Sequence, residues 1–206
     1  MSIVDQVVAR VMPAKEEEEL DALEMLRKDH DAVDRMFKDY EELVDANSSR
    51  EDRRLMSTRI CGMLAVHAMI EEEIFYPAAR AARVDSDLLD EAEIEHGSMK
   101  ELIAHIGEAS ATQRLYDARV KVLGEYVRHH VKEEERELFP ACKKAGMELE
   151  ALGKRLRKRR DALMKILQST PADLGCGVGG RRSELPKRVR ALRNQPLASP
   201  LLFPSP

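Results

Sequence analysis

Apolar residues recur at spacings of three and four along four long stretches of the chain, the period of helices that bury one face. The first stretch runs through Leu23, Leu26, His30, Val33, Phe37, Tyr40 and Val44, and the second through Ile60, Leu64, His67, Glu71 and Ile74. The third reads Leu89, Ala92, His96, Met99, Ile103 and Ile106, with Asp85 or Ser86 placed to cap its start. The fourth reads Leu123, Val127, His130 and Glu134, with Leu138 close behind. Asn47-Ser48-Ser49 separates the first two, Pro77 is expected to stop the second, and Ser110-Ala111-Thr112 precedes the fourth. Links this short favour antiparallel neighbours. A fifth amphipathic stretch, from about Glu148 to Gln168, carries Leu149, Leu152, Leu156 and Leu163 among many basic residues, and it is expected outside the bundle or against a second subunit. The pattern predicts an all-α protein: an extension over residues 1–19, a four-helix bundle over 20–145, a basic amphipathic helix over 146–168 and a disordered basic tail over 169–206.

Charge sharpens this division. Residues 148–206 hold 13 Lys and Arg against 5 Asp and Glu, a net +8, so the overall −4 leaves −12 on residues 1–147. The basic segment can meet a polyanion, fold back on its own acidic body or stay solvated. No aromatics interleave its basic residues, so nucleic acid is not expected as a partner. Cys61, Cys142 and Cys176 form no C-x-x-C pair, which argues against a disulfide framework and a structural zinc site. The N-terminus does not read as a signal peptide, and no run approaches the roughly 20 apolar residues of a membrane span. A cytoplasmic home is the expectation.

The chemistry lies inside the stripes. Each of the four contains one in-phase histidine, and two of these are followed one turn later by an in-phase glutamate. A single histidine on an apolar stripe is usually a hydrogen-bonded core residue. Four of them, with Glu71 and Glu134 beside Ile74 and Val127, are a different matter, because buried carboxylates need a paired charge or a metal. The arrangement is also repeated. His67, Glu71 and Pro77 match His130, Glu134 and Pro140 at offsets of four and ten, and His30 and His96 precede their partners by 37 and 34 residues. Two helix pairs related by an approximate two-fold axis are predicted.

Counting donors narrows the metal. Four histidines shared by two ions give two nitrogens each, two bridging glutamates add two oxygens each, and one solvent bridge brings each ion to five ligands. That set suits iron, or manganese, better than closed four-coordinate zinc, and it leaves one position open. His105 falls on the opposite face from His96 and is expected exposed, while His129 points about 100° away from His130 and is expected at the boundary. The glutamates flanking Glu71 and Glu134 are out of phase and read as solvated charge, as does Glu16 to Glu19. Phe37, Phe75, Tyr76, Tyr126 and Phe139 read as core, some of them walls of the metal pocket.

At Asp29-His30-Asp31, His67-x-x-x-Glu71-Glu72, Glu95-His96 and His129-His130-Val131-x-x-Glu134-Glu135 the chain resembles the hemerythrin family, in its His-His-Glu cation-binding form, over about residues 20 to 145. The resemblance implies an up-down four-helix bundle around two non-heme irons with an oxo or hydroxo bridge. It implies roles in binding, sensing or reducing dioxygen, peroxide or nitric oxide, with peroxide disproportionation as the enzymatic form. An iron- or oxygen-responsive regulator whose folding follows metal occupancy is the other reading, and a homo-oligomer through the fifth helix is compatible with either. The chain departs from oxygen carriers in the third helix, where a further histidine is expected one turn from His96 but Ala92 and Lys100 stand instead. Glu93 and Tyr126 are the residues within reach in sequence to substitute for it, with water as the alternative.

Overall fold

The computed structural model describes residues 20–169. The expected extension lies outside the described residues, as does the expected tail apart from Ser169. Among the described residues all regular structure is helical. The elements are α1 (Ala22–Asp45), α2 (Arg50–Ile70), α3 (Tyr76–Ala81), α4 (Ser86–Glu108), α5 (Tyr116–Glu133), α6 (Phe139–Lys144) and α7 (Leu149–Ser169).

Side-chain caps start three of the four long helices. Asp21 and Glu24 form a reciprocal capping box on α1, with Glu24 N–H donating to Asp21 at 2.9 Å and Asp21 N–H to Glu24 at 3.1 Å. Ser49 caps α2, and Asp85 rather than Ser86 caps α4. Helix α1 packs on α2, α4 on α5, α1 on α5 and α2 on α4, closing a ring of four long helices. Their apolar faces form two clusters. One holds Leu23, Leu26, Ile70, Ala92, Leu138 and Phe139, the other Val33, Leu64, Met99 and Val127. Each in-phase histidine therefore sits where its helix passes from one cluster to the other, so a polar layer is enclosed by apolar caps on both sides.

The second stretch departs from its expected course. Helix α2 does not end at Pro77 but widens into a π-turn over Glu71–Phe75 and continues as α3, with Pro77 in the first turn of α3. An identical π-turn over Glu134–Leu138 leads α5 into α6, with Pro140 in the same place. The N–H of Tyr76 bonds to the carbonyl of Glu71, and that of Phe139 to Glu134, five residues back in each case. A proline inside a helix lacks the N–H for the ordinary ladder and crowds the carbonyl four residues back; a widened turn directly before it accommodates both defects. The extra residue shifts the register, so Phe75 and Tyr76 are buried while Ile74, which a continuous α-helix would bury, is only partly covered.

Helix α7 lies against α1, α2 and the first π-turn. Leu152, Leu156 and Leu163 join the first apolar cluster, whereas Ile166 and Leu167 stay exposed. Its basic face meets the acidic body: Arg157 donates to the Leu20 carbonyl at 3.1 Å, Arg159 to Glu73 at 2.6 Å and Arg160 to Asp29 at 2.9 Å. Of the three courses open to this segment in the sequence, folding back on the body is the one it takes over residues 149–169. The approach is close at Gly153, where a Cβ would stand 2.7 Å from the Leu20 carbonyl oxygen and 2.9 Å from the Ala22 nitrogen. Gly153→Val is expected to destabilise the protein by about 1–3 kcal/mol in urea unfolding. Gly97→Ala is the contrast, since nothing lies within 4 Å of its added methyl; removing a mid-helix glycine there should stabilise by up to ~1 kcal/mol.

Candidate metal centre

Sequence spacing places His67 and Glu71, and His130 and Glu134, one helical turn apart on inward faces, and the fold brings all six candidate residues together. His30, His67, Glu71, His96, His130 and Glu134 are all buried. The Nε2 atoms of His30 and His67 stand 3.1 Å apart, and those of His96 and His130 3.0 Å apart. The glutamates cross between these pairs. Glu71 lies 3.2 Å from His67 through Oε1 and 3.4 Å from His96 through Oε2. Glu134 places Oε2 3.3 Å from His30 and 3.6 Å from His130. Each glutamate thus reaches one histidine of its own helix pair and one of the other, as a two-fold repeat requires.

Around this cluster runs a second ring. His30 Nδ1 meets Glu135 at 2.9 Å, His96 Nδ1 meets Glu72 at 2.8 Å and His130 Nδ1 meets Glu95 at 2.7 Å. His67 Nδ1 faces Asp29 at a longer 3.8 Å, and Asp29 is held by Arg160 of α7. Each of these carboxylates is the immediate sequence neighbour of one candidate ligand and supports a histidine on the next helix around the bundle. The out-of-phase residues Glu72 and Glu135 are therefore not idle solvated charge, as the sequence reading had them. A carboxylate on Nδ1 fixes the tautomer with the proton on that side and turns the Nε2 lone pair inward.

The two substitutes for a fifth histidine do not reach the centre. Glu93 is on the surface, paired with Arg80 at 2.8 Å. Tyr126 points outward and is 48% exposed. The residue that takes an aromatic hydroxyl into the cluster is Tyr76, which donates to Glu134 Oε1 at 3.0 Å and lies 3.3 Å from His96 Nε2. Its repeat partner Phe139 stacks on His30 with ring centroids 5.9 Å apart and planes at 12°. Sequence alignment of the two halves pairs Tyr76 with Phe139, but an uninterrupted α-helix carries Tyr76 away from Glu71; only the π-turn turns it inward. His105 is exposed, and His129 lies at the boundary beside Glu95 and Glu133.

Electrostatics decides what this cluster needs. Burial opposes ionisation of Glu71, yet His67 and His96 hold its carboxyl well below the usual range. Burial would likewise depress the histidines, but Glu71 and Glu72 carry His96 up to about 9, Glu134 and Glu135 raise His30, and Glu71 and Asp29 raise His67. The Tyr76 hydroxyl is pushed well above its ordinary value, by burial first and then by Glu71 and Glu134. Protons on the imidazoles and cations between them are alternative answers to one excess of buried negative charge. Even so, both oxygens of Glu71 and Oε2 of Glu134 make no hydrogen bond. Unpaired buried carboxylate oxygens facing four Nε2 atoms are the donor set of a cation site. His30, His67, Glu71 and Glu134 form one such group and Glu71, His96 and His130 another, with Glu71 common to both.

The pattern of the hemerythrin HHE cation-binding domain matches residues 21–142. The chain belongs to the hemerythrin HHE family. An HHE cation-binding domain-containing protein from Mycobacterium kansasii, an Rv2633c homolog, shares the fold in its crystal structure, with a TM-score of 0.60 and 21% identity over 73% of this chain and 94% of that one. A protein of Nostoc sp. (strain PCC 7120) named DNA nickase is 28% identical over 137 residues, which is 66% of this chain but only 38% of that longer protein. Membership makes cation binding the family property of this bundle, and the orphaned oxygens fit it. If the Nδ1 carboxylates orient this HHE site, Glu72→Gln should weaken metal binding about 10- to 100-fold in a chelator competition titration. Glu93→Gln should leave the affinity unchanged.

Proposed function

We propose that this HHE domain holds two iron ions, with manganese as the alternative metal, and uses them to bind, sense or reduce a small oxidant: dioxygen, peroxide or nitric oxide. The observation that carries the reading is the pair of buried glutamates, 0% and 2% exposed for Glu71 and Glu134, each of which turns unpaired oxygen toward histidines of both helix pairs. His30 and His67 would hold one ion, His96 and His130 the other, and the two glutamates would serve both. Iron bound there would supply redox chemistry at a coordination position the protein leaves open. Because α1 and α4 run from the first apolar cluster to the second while α2 and α5 run from the second back toward the first, we read the four long helices as an antiparallel up-down bundle and α7 as an addition to it.

The protein's own contribution is orientation and exclusion. Glu135, Glu72 and Glu95 lock the imidazoles of His30, His96 and His130, Phe139 and Tyr76 cover His30 and His96, and the apolar clusters keep bulk water from both ends. Tyr76 keeps its proton and gives a hydrogen bond to Glu134, leaving that carboxylate one oxygen to share between His30 and His130. The halves therefore differ in polarity: a hydroxyl lies beside His96, a phenyl ring beside His30. That asymmetry, with no fifth histidine, favours reaction or sensing over reversible oxygen carriage.

A second reading, metal-controlled folding for regulation, draws on the spread of the six residues over four helices and on Arg160, which ties α7 to Asp29 beside the cluster. The activity in the name of the Nostoc relative is not carried over, because the similarity covers only 38% of that protein. The buried thiol of Cys142 suits a cytoplasmic setting. Among the described residues no helix is long and apolar enough to cross a membrane.

Anaerobic reconstitution is expected to load about two irons per chain, and His67→Ala with Glu71→Ala should abolish loading; iron near zero in the wild type would sink the proposal. Peroxide added to the loaded protein should release oxygen on an electrode if turnover occurs, whereas consumption without oxygen assigns reduction or sensing. For the regulatory reading, metal at 1,000 times its dissociation constant should stabilise the bundle by about 4 kcal/mol and slow its proteolysis; identical digestion of loaded and metal-free protein contradicts it.

A further inference from the structure

A buried centre needs a route by which its ion arrives. A pocket of about 110 Å³ opens between α4 and α5, with Glu91, Glu95, Glu133 and Glu137 around it and His130 and Glu134 among its lining residues. Glu134 is 2% exposed, and its Oε2 makes no hydrogen bond. The pocket thus joins an outer ring of carboxylates to a buried glutamate of the cluster, one that carries an unsatisfied oxygen.

Glu95 and Glu133 of this lining, together with the neighbouring His129, bring three ligand atoms within 4.8 Å of one another. His129 Nε2 lies 3.2 Å from Glu133 and 3.5 Å from Glu95, and the ring is 62% exposed. The other oxygen of Glu95 accepts from Nδ1 of His130 at 2.7 Å. One carboxylate thus spans from a solvent-facing imidazole to an imidazole of the centre. The exposed group has the mixed nitrogen and oxygen chemistry of the inner one but only three ligand atoms, so water must complete any ion's shell there.

Building on the metal-centre reading above, we propose that this pocket is the port through which a divalent cation reaches the centre, and that Glu95, His129 and Glu133 dock it at the mouth. Charge selects the traveller. Dioxygen, peroxide and nitric oxide are neutral and gain nothing from four carboxylates, whereas a dication is concentrated by them and drawn toward Glu134. A partly hydrated ion held by three side chains is held loosely enough to pass on.

The test is the rate of Co²⁺ uptake by the metal-free full-length chain, followed by stopped-flow absorption, in the wild type and in His129→Ala combined with Glu133→Gln. These two side chains lie outside the cluster of six, so the final cobalt per chain and the final spectrum should match the wild type. Uptake should slow by about 10-fold or more, and the wild-type rate should fall with added salt more steeply than the variant's. Glu42→Gln, which removes the same charge from an exposed place on α1, should load at the wild-type rate. A double variant that loads as fast as the wild type, or slows no more than Glu42→Gln, overturns the port while leaving the centre intact. A lower final stoichiometry in the double variant also overturns it, by making these residues part of the centre. Wild-type protein that takes up no cobalt overturns the centre, and the port with it.

Discussion

Two carboxylates at the middle of an apolar bundle are the constraint on which everything else depends. Glu71 and Glu134 leave water when the chain folds, and an isolated buried carboxylate is among the costliest groups a protein can enclose. Compensation has to come from several helices at once, because no single helix presents enough donors on one face. His30 on α1, His67 on α2, His96 on α4 and His130 on α5 supply it, and the ring of helix contacts is the geometry that lets all four arrive. The apolar clusters on either side then do two jobs: they hold the helices together and they keep the compensation from being shared with solvent.

The outer carboxylates follow from the same constraint. Imidazoles that must face inward through Nε2 need their other nitrogen occupied, and the residues placed to do so are the sequence neighbours of the ligands, since a helix turns about 100° per residue and points them into the seam with the next helix. Asp29, Glu72, Glu95 and Glu135 occupy those seams. Helix α7 enters this scheme from outside through Arg160 and Asp29, so the added helix touches the centre without contributing to its cluster of six.

Periodicity made much of this legible. The four stripes, their histidines and the two in-phase glutamates could be read because a helix writes its buried face into residue spacing, and the internal repeat marked the six as a candidate site. Three features were not legible. The π-turns depend on how a helix accommodates Pro77 and Pro140, which spacing alone treats as stops. Tyr76 joins the centre only through the register shift that one of those turns introduces, so a strict 3.6-residue period left it among five aromatics of the core and pocket wall without singling it out. Glu72 and Glu135 looked solvated because phase reports burial on their own helix and says nothing about a histidine on a neighbouring one. Tyr126 and Glu93 failed for the converse reason: nearness to a ligand in sequence did not put them on the inward face.

The central claim is that Glu71 and Glu134 are shared between two metal ions rather than neutralised by protons. Anomalous diffraction from a crystal of the iron-loaded protein, recorded at the iron absorption edge, tests it most directly. The account predicts two peaks about 3.5–4 Å apart, one beside the Nε2 atoms of His30 and His67 and the other beside those of His96 and His130, with Glu71 reaching both. A single peak, or iron seated anywhere other than between these six side chains, would contradict it.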